Sequence, residues 1–279
     1  MRIVLFFAAL LLPLVAAPVH AQLVTAREHE RQLDSGRAAV TTDVNTFFGR
    51  ALDAGYFFLQ PTVIGAVRYR ELVLEAALPF AFANENDDAG ADGARFVLGH
   101  PWAGLAYLPD CDCGLSRLSL GIAVDAAPAG SALAERVRAL ARGAMGDWDG
   151  YLFREGLLPL VLGASTRMEL GRAARLSWDG DVALGLPAGA RTFELGTQHA
   201  VELTLLFSWH WQLGTRLHAS YYPTLPGDDF QSAASLYLRY VIIKDAVGAR
   251  FLTNLDGPAG FAFSRAGMWG LGVFYSTAL

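Results

Sequence analysis

His218 and Ser220 are the residues of this chain best placed to do chemistry. The triplet His218-Ala219-Ser220 lies in a stretch of alternating polarity, where a period of two turns both side chains to one face. A histidine beside a serine acts as base and nucleophile once a third group orients the imidazole, and no asparagine or acid follows at an obvious place. Cys111 and Cys113 lie in Pro109-Asp110-Cys111-Asp112-Cys113-Gly114. A bridge between them would close a strained ring, and no second ligand pair follows at zinc spacing. They are expected to mark an exposed turn with no catalytic role. Glu85, Asp87, Asp88 and Asp92 make an acidic run that is expected to be a solvated loop. Phosphate loops, G-x-S-x-G, H-E-x-x-H and calcium loops are absent, and no metal or cofactor is expected.

The elements that must carry these residues are read from alternation. In Arg175 to Leu184, Leu176, Trp178, Val182 and Leu184 share one face, opposite Arg175, Ser177, Asp179 and Asp181. In Ala200 to Trp211, Val201, Leu203, Leu205, Phe207, Trp209 and Trp211 oppose Glu202, Thr204, Ser208 and His210. Leu118, Leu120, Ile122 and Val124 oppose Arg117, Ser119 and Asp125; Leu236, Leu238, Tyr240 and Ile242 oppose Ser235, Tyr237 and Arg239. One apolar and one polar face, repeated along the chain, is the pattern of β-strands.

The apolar faces need a solvent. The chain is 53% hydrophobic and only 18% charged, with a net charge of −5, so nothing points to a nucleic-acid partner and none is expected. It opens on Met1-Arg2, an apolar run from Ile3 to Ala17, and Pro18-Val19-His20-Ala21, the plan of a signal peptide cleaved after Ala21. No later segment holds the ~18 uninterrupted apolar residues of a helical span. A closed barrel is the other structure that satisfies its backbone in lipid.

Three features favour that barrel over a soluble periplasmic sandwich. Connections alternate: short at Arg70-Glu71, Asp110 to Ser116, Arg172 to Ala174, Gln212 to Gly214 and Lys244-Asp245, and longer at Asn84 to Ala94, Pro128 to Gly156, Leu186 to Thr197, Thr224 to Phe230 and Leu255 to Gly260. Short periplasmic turns and longer outer loops are the habit of outer-membrane barrels. Tyr69, Tyr107, Trp209, Trp211, Tyr240 and Tyr275 lie at the short-turn level; Phe80, Phe82, Tyr221 and Phe261 lie at the other, as two aromatic girdles would. The chain ends on an alternating strand, Leu271, Val273, Tyr275, Thr277 and Leu279. The expected fold is all-β: an antiparallel up-and-down transmembrane barrel of about 12 strands, with 10 to 14 as the range. Residues 1–21 are the signal peptide, 22–40 a polar periplasmic tail or plug, and 41–279 the barrel.

In such a barrel the polar faces line the lumen. The set is Arg68, Glu75, Arg117, Asp125, Arg167, Glu169, Arg175, Asp179, Asp181, Glu202, His210, Arg216, Arg239 and Arg250. Hairpin parity pairs like faces. A three-residue loop at Gln212-Leu213-Gly214 sets Trp211 against Thr215, His210 against Arg216 and Ser208 against His218. The turn at Arg172 to Ala174 sets Arg167 against Asp179 and Glu169 against Ser177. A two-residue loop at Lys244-Asp245 opposes Arg239 to Arg250, an unfavourable pair that water, neighbouring carboxylates or an anion would have to offset. From Ser131 to Met145 the pattern turns helical, with Leu133, Val137, Leu140 and Ala144 on one side and Arg136, Arg138 and Arg142 supplying a basic one. This short helix in an outer loop either folds into the mouth or lies over the rim.

Over Thr41 to Leu279 the chain resembles bacterial outer-membrane β-barrels as a class, including the C-terminal strand by which such barrels are recognised for assembly, with Leu279 in place of the usual Phe or Trp. Through LGHPWAGLAY, Leu98 to Tyr107, it resembles the uncharacterised barrels grouped with aromatic-degradation clusters as transporters. His218 and Ser220 resemble the pair of outer-membrane lipid hydrolases, whose catalytic residues face lipid, whereas this register turns them inward. These resemblances imply an outer-membrane location, outer-membrane lipids and the barrel-assembly machinery as partners, and a channel or transporter for small solutes. The alternatives are a lipid hydrolase using His218 and Ser220, and a structural or interaction barrel.

Overall fold

The computed structural model describes residues 37–51, 54–85, 93–109, 115–124, 132–143, 150–188, 192–224, 230–255 and 267–279. Residues 1–36, which hold the expected signal peptide and most of the expected tail, both cysteines, the acidic run beyond Glu85 and Asp125 therefore lie outside the described residues. Within them the alternating segments form one antiparallel sheet of thirteen strands. They are β1 (Ala38–Ala51), β2 (Ala54–Tyr69), β3 (Leu72–Glu85), β4 (Gly93–Leu98), β5 (Trp102–Tyr107), β6 (Leu115–Ala123), β7 (Leu157–Leu170), β8 (Ala174–Pro187), β9 (Glu194–Leu206), β10 (Trp211–Tyr221), β11 (Phe230–Ile242), β12 (Asp245–Asn254) and β13 (Met268–Ala278).

The sheet closes because β1 pairs with β2 on one side and with β13 on the other, Val44 facing both Pro61 and Val273. β4 and β5 together make one stave, since both pair with β3, at Phe80–Glu85 and Leu72–Ala77 respectively. The wall is thus a closed barrel of 12 strands. Closure pairs the strand edges around the wall, and among the described residues β4 has a strand partner on one side alone, β3. Among the described residues no helix is long and apolar enough to cross a membrane.

Period two sorts the side chains. Leu120, Leu217, Leu236, Leu238, Val247 and Val273 stand exposed on the outside. Inside, charged and polar groups are shut off from solvent. This is the reverse of a soluble barrel, and it fits a wall wetted by hydrocarbon. At the end that carries the N-terminus of β1 and the C-terminus of β13, Tyr69, Tyr107, Trp211 and Tyr275 are exposed. At the opposite end Phe48 stacks on Trp269 with centroids 4.7 Å apart, Phe48 meets Phe57 edge-on at 5.8 Å, and Phe80 stacks on Phe96 at 5.6 Å. Aromatic side chains with one apolar and one wet side settle at both interfaces of a bilayer.

Three turns differ from the reading by parity, and each moves a register. The β9–β10 turn is not at Gln212 to Gly214. Phe207 N donates to Trp211 O, and Ser208 Oγ accepts from the backbone N–H groups of His210 (3.2 Å) and Trp211 (3.1 Å). A serine hydroxyl that captures local amides ends a strand even where the apolar alternation runs on. Thr215 therefore faces Leu203, Arg216 faces Glu202 and His218 faces Ala200. Gly214 lies within β10, beneath the ring of Tyr237, where a Cβ would collide. The β7–β8 turn uses Gly171 in the left-handed region (φ 71°), so Arg167 faces Ser177 and Glu169 faces Arg175. The β11–β12 turn is Ile243-Lys244, with Ile243 at φ 48°. Arg239 then lies opposite Gly248 and Arg250 opposite Tyr237, and the opposed arginines do not occur.

Candidate functional site

Among the described residues buried chemistry collects in the lumen, and its floor is built of ion pairs. Arg117 of β6 donates to both oxygens of Glu75 of β3, at 2.8 and 2.7 Å, with both side chains fully buried. Trp102 lies between them along the wall, folded over Gly104 and Gly121, where a Cβ would strike its indole. Arg216 Nη1 donates to Asp179 Oδ2 at 2.6 Å and lies 3.7 Å from Glu202 Oε2. Tyr237 OH donates to Glu202 Oε1 at 2.8 Å, and Thr204 Oγ1 donates to the same oxygen at 3.0 Å. Arg250 pairs with Asp43, which the sequence reading did not place in the lumen. Arg239 Nη1 donates to Gln212 Oε1 at 3.2 Å. Pairing is what makes this tolerable, because one buried partner without the other is strongly destabilising.

Of the remaining described members of the sequence-derived set, all but Asp181 lie at the short-turn rim or outside the lumen. Arg175 Nε donates to Glu169 Oε1 at 2.7 Å and Arg167 Nε to the same oxygen at 3.3 Å, in a half-exposed cluster beside Gly171. Arg68 Nε donates to Arg70 O at 2.9 Å at the same level. His210, expected inside, is exposed in the β9–β10 turn, with Nδ1 2.8 Å from Val241 O. Its expected partner Arg216 is engaged by Asp179 instead. Asp181 faces inward, fully buried.

A second structure packs into the other half of the lumen. Between β6 and β7 lie α1 (Ala132–Gly143) and a 3-10 turn (Gly150–Phe153). Ala134, Val137 and Ala141 of α1 and Tyr151, Leu152 and Phe153 of the turn are buried with inward residues of the wall: Phe47, Phe58, Ala81, Ala83, Val97 and Trp102. The helix therefore folds into the mouth and does not lie over the rim. Small residues on β3 make the room, and the apolar stripe of α1 supplies the filling.

Both flanks of this plug are fastened. On one side β4 and β5 are interrupted at Gly99-His100-Pro101, within the LGHPWAGLAY segment. His100 N donates to Leu152 O (2.6 Å) and His100 Nε2 donates to Arg154 O (2.6 Å). A Cβ at Gly99 would stand 2.8 Å from the Phe153 ring and 2.9 Å from Pro79 Cγ, so only glycine admits this approach. On the other side Arg154 Nη1 donates to Glu194 Oε2 of β9 at 3.0 Å, and its guanidinium lies 4.3 Å from the centroid of Tyr222. Tyr222 OH accepts from Gln198 Nε2 at 2.8 Å. Arg138 pairs with Glu155 within the plug.

His218 and Ser220 share the inward face of β10 and are buried. A phospholipid on the outer wall therefore does not touch them, unlike the lipid-facing pair that the hydrolase resemblance implies. Among the described residues no group of three or more His, Cys, Asp or Glu is placed to hold a metal.

No protein-family model matches this chain, and no curated protein matches it. Solved structures do. An outer membrane channel from Pseudomonas putida F1 is 11% identical, with 93% of this chain and 97% of that one covered at a TM-score of 0.61. The NanC porin is 6% identical, with 85% and 100% covered at a TM-score of 0.54. At such identities the likeness is one of fold. With the apolar outer wall and its two aromatic belts, it makes this chain a β-barrel of the outer-membrane kind.

Proposed function

We propose that this protein is an outer-membrane channel for small solutes, held narrow by the inward-folded segment between β6 and β7. The observation that carries the reading is the pairing of a closed apolar-outside wall with a lumen whose charges and polar groups face one another. Buried arginine and carboxylate partners are costly to desolvate and must be paired, so their concentration inside the wall is what the reading has to account for. A conduit accounts for it, since ionised walls rehydrate when the path opens. The two channels of like fold support the reading by analogy of architecture alone.

Charge of both signs on the floor gives no single-sign field, so strong selection by charge is not expected. The plug sets the size limit. Its fastenings at His100, Glu194 and Tyr222 are non-covalent, so widening the path would cost a few hydrogen bonds and no covalent bond. The surrounding lipids are partners through the outer wall. The alternating C-terminal strand, Met268–Ala278 with Leu279, is the segment we assign to recognition by the barrel-assembly machinery.

Reconstitution in planar bilayers tests the reading. Small, resolvable conductance steps are expected from folded protein, and larger ones from Arg154→Ala. Folded protein that inserts yet passes no current in either form would refute it.

A further inference from the structure

Gln198, Ser220 and Gln231 stand in one straight row across three neighbouring strands. Ser220 of β10 faces Gln198 of β9 on one side and Gln231 of β11 on the other. Asp181 of β8 continues the row, facing Gln198. All four are inward and buried. Strand spacing of about 4.8 Å makes the row a strip of hydrogen-bonding groups along the lumen wall. The next positions towards the floor are the alanines Ala200 and Ala233, flanking His218, so the strip has low ground beside it.

On the floor each guanidinium has a carboxylate or amide partner even where its Nε is left over; in this strip two side chains have none. Gln198 spends its amide on Tyr222 OH. Ser220 Oγ and Gln231 Oε1, opposite each other on adjacent strands, have no hydrogen-bond partner at all. Buried polar groups in folded proteins are paired with few exceptions, and an exception calls for a cause. Ser220 can accept or donate, and Gln231 Oε1 accepts. The complement of that pair is a neutral molecule with two neighbouring O–H groups. A cation would leave Ser220 without use of its lone hydrogen, and an anion would meet Asp181 and the acceptor oxygen of Gln231.

We infer that Ser220 and Gln231, with Gln198 beside them, form a binding step for small neutral polyhydroxy solutes on the β9–β11 side of the lumen. The inference rests on the channel reading and narrows it to a solute class. Because both oxygens are closed off in the narrow state, solute entry and opening of the lumen are coupled: an incoming diol supplies the two bonds that the closed wall lacks.

Erythritol is the probe. Ion current through the reconstituted wild-type protein should fall with added erythritol along a saturable curve, beyond the linear loss that dextran of matched viscosity causes. Ser220→Ala and Gln231→Leu, each removing a group with no partner in the fold, should keep heat-modifiable migration, and the block is read against each variant's own current. Each should weaken the saturable block by about tenfold, equivalent to ~1.4 kcal/mol. A wild-type channel that conducts but shows only the linear loss, or variants that block like the wild type, overturns the inference and leaves the channel standing. If the wild type carries no current, the channel reading falls by itself. The site is then read by calorimetric titration of the folded protein with erythritol, where saturable heat lost in the variants upholds it and absence of heat overturns it.

Discussion

Arg216 of β10 reaches past β9 to place its Nη1 2.6 Å from Asp179 Oδ2 of β8, with both side chains closed to solvent. The contact skips a strand, because the residue directly opposite Arg216 is Glu202. One guanidinium thus serves two carboxylates on two strands, and Tyr237 and Thr204 take up the remaining acceptor of Glu202. The barrel floor is stitched across strands as well as along the ladder.

Removing one partner of such a buried pair leaves a desolvated charge. Asp179→Ala is expected to destabilise the folded barrel by about 3–5 kcal/mol, as is Arg117→Ala through Glu75. Urea-induced unfolding in detergent or lipid vesicles, followed by tryptophan fluorescence, measures this. Loss below about 1 kcal/mol, the value of a hydrated surface pair, would show the lumen floor to be wet.

Glu202→Lys brings a second cation beside Arg216 and deprives Tyr237 OH of its acceptor. From alternation alone this substitution looks mild, since a lumen-facing carboxylate would be solvated. The structure reverses that, and folding yield in vesicles is expected to drop as steeply as for Asp179→Ala. A yield equal to wild type would contradict the packing described.

On the outer wall Leu217, 57% exposed and central in β10, should meet hydrocarbon. Leu217→Arg is expected to cost about 2–4 kcal/mol in vesicles, the penalty of a cation near the bilayer midplane. The same unfolding experiment reads it, and a neutral result would put that face in water.

Ile243 occupies the left-handed region at the β11–β12 turn, where a β-branched side chain crowds its own carbonyl at a cost of roughly 1–2 kcal/mol. Ile243→Gly should therefore raise stability by about 1 kcal/mol, net of the extra chain entropy that glycine brings to the unfolded state. A decrease in stability would mean that this side chain, 86% exposed, makes a contact worth more than the strain.

Much of the fold was legible because period two repeats. Leu118, Leu120 and Ile122 against Arg117 and Ser119 reads the same in sequence as in the wall, and the count of staves followed from the turns. What failed was local. Nothing in the run Phe207 to Trp211 announces that Ser208 will fold back on two amides, and Ile243 breaks the preference that turns show for Gly and Asn. Each miss slid one hairpin and replaced a list of lumen partners: Arg167 lost Asp179, and Arg216 gained it. The plug was half legible. The helical period of Val137 and Ala141 showed an apolar face, but its partners, Ala81, Ala83 and Val97, lie on strands far away in sequence. Asp43, Gln198 and Gln231 escaped because no single strand pattern marks a polar residue as part of a row; only the pairing register does.

The central claim is that the leucine-bearing face touches lipid while the arginine-bearing face does not. Spin labels on cysteines placed at Thr215, Leu217 and Ala219, all on the outward face of β10, test it most directly in lipid vesicles. High accessibility to oxygen, low accessibility to a water-soluble nickel chelate, and a depth maximum near position 217 are expected. Labels that are immobile and reached by neither reagent, or reached chiefly by the nickel chelate, would contradict it.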